Sequence, residues 1–186
     1  MGDPAGKSDL HDRFLAVPEH LVAEIVDGEL YASPRPASRH ARSSSRLGAA
    51  LDGPFDRGRG GPGGWILLDE PELHLGHQIV VPDLGGWRRE RMPEMPDAPF
   101  FTLAPDWVCE VLSPSTEKLD RAKKLAVYRD HRVGHVWLVN PLNETLEVLR
   151  LDGERYSLLD TFAGDVVVNA VPFDAVPLEL AALWER

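Results

Sequence analysis

The sequence predicts an α/β (α+β) domain built on a mixed β-sheet. Short apolar runs typical of strands alternate with two long helical patterns. A strand–helix–strand unit over residues 106–140 predicts a locally parallel strand pair, because parallel neighbours need a crossover connection. Gly and Pro number 16 each among 186 residues, which indicates a turn-rich chain.

The N-terminal third contains a hairpin and a helix. We expect residues 1–8 to form a flexible tail, and residues 9–186 to form one domain. A short helix is predicted at 10–16, ahead of Pro18. Asp27-Gly28 lies between two β-rich runs, a strong hairpin signal. Residues 38–51 lack β-branched side chains and are predicted to be helical.

The middle of the chain predicts a loop, two strands and an irregular stretch. Six glycines within residues 53–64 predict the loop. Strands are expected at 65–73 and 77–84, with a turn at Leu75-Gly76. The proline-rich stretch 85–105 is expected to be irregular.

The C-terminal half is dominated by apolar strands. The predicted elements are a central strand at 106–112, a helix at about 116–130 with Ser115 or Thr116 as N-cap, a strand at 135–140, a hairpin of strands 145–151 and 155–159, and a helix from Pro177.

Composition excludes several classes of function. The 20 basic and 30 acidic residues give a net charge of −10, which excludes a uniformly basic nucleic-acid-binding protein but leaves room for a local basic patch. With Cys109 as the lone cysteine, no intramolecular disulfide can form. There is no signal-peptide pattern and no apolar run of about 20 residues, so we expect a cytoplasmic protein without a membrane partner. The glycine-rich loop lacks the Lys-Ser/Thr of a phosphate-binding loop, so no nucleotide cofactor is expected.

Three charged residues predict a site for chemistry. Glu110 shares a strand face with Val108 and Leu112, where a carboxylate is costly unless it is paired or binds a cation. Asp83 ends another strand pattern, and Lys124 lies on the helix after the Glu110 strand. Each alone has an ordinary structural interpretation, such as a solvated lysine. Together they suit one oxygen-preferring divalent cation and an activated water.

Several segments resemble the putative restriction endonuclease family, the Uma-two-like branch of the PD-(D/E)XK nuclease superfamily. The resemblance covers roughly residues 10–183. Its segments are AEIVDGEL, SRH, IVVPDL, WVCEVLSPST and GHVWLVNP, together with a D-x-x-x-K-x-x-x-Y pattern at Asp120, Lys124 and Tyr128. The EVLSPST run followed by that helix pattern is the most specific element.

This resemblance implies a restriction-endonuclease-like mixed sheet flanked by helices, with extra N- and C-terminal hairpins. It implies Mg²⁺ or Mn²⁺ as cofactor, bound by Asp83, Glu110 and a main-chain oxygen near Val111. It further implies catalytic roles for those two acids, for Lys124 and for Glu24. The lysine that commonly follows the acid by two residues is replaced here by Leu112, so the family's lysine corresponds to Lys124.

The expected partners are DNA and a second copy of the chain. Arg39, Arg42 and Arg46 share one helix face, which could contact phosphates or be an ordinary solvated surface. His40 matches a family histidine on the same helix and is included in the predicted DNA-binding set. Apolar residues that we expect to be at the surface favour a homodimer; they are Trp87, Phe100, Phe101, Trp107 and Trp184.

The sequence thus favours a metal-dependent DNA endonuclease. Two alternatives stay open: a non-catalytic binding or assembly module that keeps the nuclease fold, and a metal-dependent hydrolase of another phosphodiester.

Overall fold

The computed structural model describes residues 4–185 of the chain. The helices are α1 (Pro4–Leu15), α2 (Ser38–Leu51), α3 (Leu125–Asp130) and α4 (Ala181–Trp184). Strands β1 to β6 are Leu21–Val26, Glu29–Pro34, Trp65–Asp69, Leu73–Leu75, Gln78–Val80 and Leu84–Arg88. Strands β7 to β12 are Trp107–Val111, His135–Asn140, Thr145–Asp152, Arg155–Ala163, Val167–Val168 and Leu178–Glu179. Two π-helical segments, Asp52–Asp56 and Leu119–Lys124, follow α2 and precede α3.

The largest sheet has six strands in the order β10-β9-β8-β7-β6-β3. Its β7 and β8 are parallel and every other neighbouring pair is antiparallel, so the predicted mixed sheet is confirmed. Strand β7 is buried on both faces. Trp107, Cys109 and Val111 pack into one apolar core, whereas Val108 and Leu112 pack into the other. Glu110 therefore lies on the Val108 face of the central strand.

A second sheet has four strands in the order β2-β1-β5-β4. The β1–β2 hairpin turns at Asp27 and Gly28, whose φ angles are 53° and 75°. Two positive φ angles are what a two-residue hairpin turn requires, and this is the reason for Asp-Gly here. The predicted hairpin is confirmed, and helix α2 has the predicted bounds.

The two strands predicted at 65–73 and 77–84 are each divided in two. Pro71 separates β3 from β4, and Pro82 separates β5 from β6. Proline has no N–H for a strand ladder, so each run changes sheet at its proline. As a result β3 and β6 pair in the large sheet, while β4 and β5 pair in the small one.

Other boundaries also differ from expectation. Helix α1 begins at Pro4, so part of the predicted tail is helical, while residues 1–3 lie outside the described range. The stretch 85–105, expected to be irregular, begins with most of β6. A Cβ on Gly86 would lie 2.9 Å from Leu67 and 3.1 Å from Trp107, so packing explains a glycine within this strand.

The tryptophans expected at the surface are core residues. Trp87, Trp107 and Trp184 are all buried, because the two large apolar cores enclose them. Phe173 lies among Trp65, Trp107 and Trp137 with ring centroids 4.8–5.6 Å apart. The apolar side chains that remain exposed include Met95, Phe100 and Leu103. None of the described helices has the length and apolar character needed to cross a membrane.

Candidate active site

Neighbouring strands bring Asp83 and Glu110 together. Strands β6 and β7 are antiparallel, with Leu84 opposite Cys109. Continuing that register by one residue places Asp83 beside Glu110. The main-chain N–H of Val111 donates to Asp83 Oδ2 at 2.7 Å, which fixes the aspartate at the end of the central strand. Pro82 lies in the break between β5 and β6, so Asp83 stands immediately before β6 and beside the end of β7.

Lys124 lies among three buried carboxylates. Its Nζ is 2.9 Å from Glu24 Oε1, 2.9 Å from Glu110 Oε1 and 3.7 Å from Asp120 Oδ1. The Lys124 side chain is only 3% exposed, so these charges interact with little solvent screening. The arrangement joins three parts of the fold: the N-terminal hairpin, the central strand and the π-helical segment.

Further hydrogen bonds hold this cluster in place. Glu24 Oε1 accepts the Val81 N–H at 2.8 Å, and Lys124 Nζ donates to the Val81 carbonyl at 3.2 Å. The buried Tyr128 hydroxyl donates to Glu110 Oε1. Because both contacts of Glu110 with Lys124 and Tyr128 use Oε1, Oε2 is the oxygen that it has to offer a ligand.

Burial and charge act in opposite directions in the cluster. Burial raises the pKa of Glu110 well above its usual range, and the positive charge of Lys124 only partly opposes this. Burial alone would lower the pKa of Lys124, but Glu110 and Glu24 outweigh it and raise that pKa. The pKa of Asp120 is likewise raised by burial. The lysine is thus held charged, whereas burial favours the protonated form of Glu110.

His40 contacts the other acid. Its Nε2 is 3.3 Å from Asp83 Oδ1, and both side chains are largely buried. Burial lowers the pKa of His40, but the hydrogen bond and charge of Asp83 and a bond to the Val111 backbone leave it raised overall. The buried Nδ1 of His40 has no hydrogen-bond partner among the described residues. His40 therefore lies beside the catalytic candidate Asp83, and the group it contacts is a carboxylate.

These side chains line one cavity of about 390 Å³, which we call the acidic pocket. Its charged lining residues are Glu24, Arg35, His40, Glu70, Asp83, Glu110, Asp120 and Lys124. The hydroxyl residues Ser33, Ser113, Ser115 and Thr116 also line it. The predicted catalytic residues Asp83, Glu110, Lys124 and Glu24 thus all face the same space.

The predicted arginine face of α2 reaches the C-terminal residues. Arg42 Nε donates to the Glu185 carbonyl at 3.0 Å. Arg46 donates to the Ala182 carbonyl and to Glu185 Oε2, both at 2.7 Å. These contacts give two of the three arginines a structural role at helix α4. Arg39 has no such contact with the C-terminal segment in the described range.

Two residues of the site entered the sequence analysis only as members of the D-x-x-x-K-x-x-x-Y pattern and were assigned no role in the site. Asp120 and Tyr128 stand four residues before and four residues after Lys124, and both reach the Lys124–Glu110 pair. The spacing in the D-x-x-x-K-x-x-x-Y pattern could have indicated them, since residues four apart share a helix face.

The donors available for a metal are oxygens. Among the described residues, no group of three or more His, Cys, Asp or Glu side chains is arranged to hold a metal ion. A cation here would depend on the carboxylates of Asp83 and Glu110. Val111, whose main-chain oxygen the resemblance implies as a further ligand, is buried and is not among the residues that line the pocket. The two carboxylates fit a hard divalent cation such as Mg²⁺, which keeps several waters and is often bound by one or two carboxylates.

Comparison with known proteins agrees with the fold. The sequence profile of the Uma2 family, described as "Putative restriction endonuclease", matches residues 11–181. A crystal structure of a putative nuclease of the DUF820 group from Anabaena variabilis is similar to this chain, with 25% identity and a TM-score of 0.74. The similarity covers 93% of this chain and 96% of that one. A search of curated proteins found no match.

Proposed function

This chain belongs to the Uma2 family of putative restriction endonucleases, and we propose that it is a metal-dependent endonuclease that hydrolyses DNA phosphodiester bonds. The observation that carries the proposal is the acidic pocket, in which Asp83 and Glu110 lie beside a buried, charged Lys124. A nuclease of this kind must hold a cation, position a water and stabilise charge on a phosphate.

In this proposal Asp83, Glu110 and the Val111 main-chain oxygen hold Mg²⁺ or Mn²⁺. The bound metal would lower the pKa of a water ligand and neutralise charge on a phosphate oxygen. The affinity of the protein for the metal would depend on the deprotonated form of Glu110. Burial raises the pKa of Glu110 in the metal-free protein, so metal binding would have to displace a proton.

The remaining residues orient these groups. Lys124 directs its ammonium into the pocket and stabilises negative charge at the phosphate. Glu24 acts through Lys124, because Glu24 forms an ion pair with Lys124 and accepts a hydrogen bond from the Val81 N–H. Tyr128 holds the Glu110 carboxylate through a hydrogen bond, and His40 holds Asp83.

We also propose that the enzyme acts as a homodimer on duplex DNA. A protein with one site per chain cuts both strands most simply as a two-fold dimer. Sedimentation at micromolar concentration should show a species of about twice 20.6 kDa. A monomer at every concentration, with and without DNA, would contradict this part of the proposal.

One observation favours a second candidate, a non-catalytic nuclease-fold module. Lys124 already forms ion pairs with Glu24 and Glu110, so the cluster is partly neutralised without a metal. If this is its whole role, the pocket would bind no Mn²⁺ and cleave no nucleic acid.

A cleavage assay separates the candidates. Supercoiled plasmid, labelled DNA duplex and labelled RNA are incubated with the protein in Mg²⁺, Mn²⁺ or EDTA. We expect cleavage of DNA with either metal, leaving 5′-phosphate and 3′-hydroxyl ends, and none in EDTA. Preferential cleavage of RNA would instead assign another phosphodiester as substrate.

Matched variants locate the activity. Asp83→Asn should abolish cleavage and Mn²⁺ binding measured by calorimetry. Asp160→Asn, an exposed change on β10 outside the acidic pocket, should leave both unchanged. Activity that survives in Asp83→Asn would place the chemistry elsewhere and refute the proposal.

A further inference from the structure

A second cavity of about 380 Å³ lies directly beside the acidic pocket. We call it the side groove, and its polar lining residues are Tyr31, Ser33, Ser115, Thr116, Lys118 and Lys123. It runs between strand β2 and the π-helical segment before α3. Ser33, Ser115 and Thr116 line both cavities, so the side groove and the acidic pocket form one continuous depression.

The two cavities differ sharply in charge. Five carboxylates line the acidic pocket, whereas none of the described residues that line the side groove is acidic and two of them are lysines. Lys123 is already engaged, with its Nζ 2.5 Å from Glu29 Oε2 and 2.6 Å from the Tyr31 hydroxyl. Lys118 is exposed and forms no ion pair with any described residue. Lys118 is thus the uncompensated positive charge at this site.

We propose that the side groove binds the phosphate next to the one being cleaved, on the same nucleic-acid strand. This inference rests on the proposed nuclease function and names the path by which the substrate leaves the acidic pocket. Lys118 provides the charge, and the hydroxyls of Ser33, Ser115 and Thr116 provide neutral donors.

The charges of the side groove agree with a nucleic-acid strand. A strand is a polyanion, and it must leave an acidic pocket through a surface that does not repel it. Arg42 and Arg46, which bond to the C-terminal residues, are less free than Lys118 to bind it.

The test measures DNA binding separately from cleavage. Anisotropy of a fluorescein-labelled duplex is followed in EDTA, and again in Ca²⁺, over a range of KCl concentrations. The variants are Lys118→Ala and Lys118→Arg. The matched control is Arg155→Ala, which removes an exposed positive charge from the start of β10, outside both cavities.

Loss of one phosphate contact should reduce the slope of log affinity against log salt by about 0.9. If affinities converge at 1 M salt, this slope makes Lys118→Ala roughly eightfold weaker than wild type at 0.1 M salt. Lys118→Arg and Arg155→Ala should keep the wild-type slope. All variants should have the melting temperature of the wild type, because Lys118 and Arg155 are both exposed.

The outcomes separate this inference from the proposed function. If the wild type cleaves DNA but Lys118→Ala has unchanged DNA affinity and salt slope, the inference that the side groove binds a phosphate is wrong, whereas the proposed nuclease activity is supported. Weaker binding by Lys118→Ala in a protein that cleaves nothing supports the groove and overturns the nuclease. An equal loss of DNA affinity in Arg155→Ala would show a general effect of charge and would contradict the inference. The absence of measurable DNA affinity in both EDTA and Ca²⁺ would also contradict it.

Discussion

Replacing Lys124 by methionine should destabilise the metal-free protein far more than replacing Glu110 by glutamine. Methionine keeps the apolar stem of the lysine but removes the charge that lies 2.9 Å from both Glu24 and Glu110. Removing one partner of a buried ion pair costs about 3–5 kcal/mol. We expect a loss of stability at the lower end of this range. Glu24 keeps its hydrogen bond from the Val81 N–H, and Glu110 can become protonated.

Glu110→Gln should change stability by less than about 1 kcal/mol. The amide oxygen still accepts the Tyr128 hydroxyl, and Lys124 still has Glu24 at 2.9 Å and the Val81 carbonyl at 3.2 Å. The substitution also removes one of several neighbouring acids that repel each other. It should nevertheless abolish metal binding in the proposed site.

Urea and thermal unfolding in EDTA at pH 7 measure the difference. A loss of about 3 kcal/mol corresponds to a melting temperature lower by roughly 6–12 °C for a chain of this size. Lys118→Met, a change at an exposed lysine, serves as control and should stay within about 0.5 kcal/mol of wild type. If Lys124→Met is as stable as Glu110→Gln, the ion pairs do not hold the cluster and the reasoning is refuted.

Three further predictions concern other parts of the fold. Phe173→Ala should cost about 3–5 kcal/mol in urea unfolding, because it empties the centre of the aromatic core, whereas Phe100→Ala at a more exposed position should cost much less. Burial and two nearby arginines lower the pKa of His135 below its ordinary value of 6.5, so the unfolded chain binds more protons and stability falls as the pH drops below about 6.5. His135→Asn should therefore lose less stability between pH 7 and 5.5 than wild type. Arg46→Ala should loosen helix α4, seen as faster amide exchange at residues 181–185, because two hydrogen bonds to that segment are lost.

Local chemistry made parts of this fold predictable. Asp27-Gly28 requires positive φ angles at a hairpin turn, and α2 has a composition that suits a helix over its whole length. The two strands predicted at 65–73 and 77–84 were wrong as unbroken runs, although the prolines that divide them, Pro71 and Pro82, stand in the sequence. The sequence did not indicate which sheet each half of a divided strand would join, because that depends on pairing with strands distant in sequence. Gly86 shows the same limit, because only packing against Leu67 and Trp107 explains a glycine in that strand.

The candidate site was predictable where burial conflicts with charge. Glu110 on an apolar strand face needs a partner or a cation, and the structure places Lys124 Nζ 2.9 Å from its Oε1. The resemblance had implied a catalytic role for Lys124, but not this ion pair. Asp120 and Tyr128 carry no such conflict in the sequence, because an acid and a tyrosine on a short helix are ordinary. Their roles follow from the depth at which the π-helical segment and α3 pack against β7.

The arginine face of α2 shows why a pattern of charge alone does not distinguish a nucleic-acid surface from a structural contact. Arg42 and Arg46 have the helix spacing expected of phosphate contacts, yet their donors reach carbonyls and a carboxylate of the C-terminal segment. Unpaired carbonyls at a helix end attract basic side chains much as phosphates do, so the sequence pattern is the same for both roles. Lys118 differs because its neighbours in the side groove are hydroxyls and another lysine. A charge that the described residues leave uncompensated, beside the acidic pocket that we propose binds a cation, is a stronger indication of a polyanion than three arginines on one face.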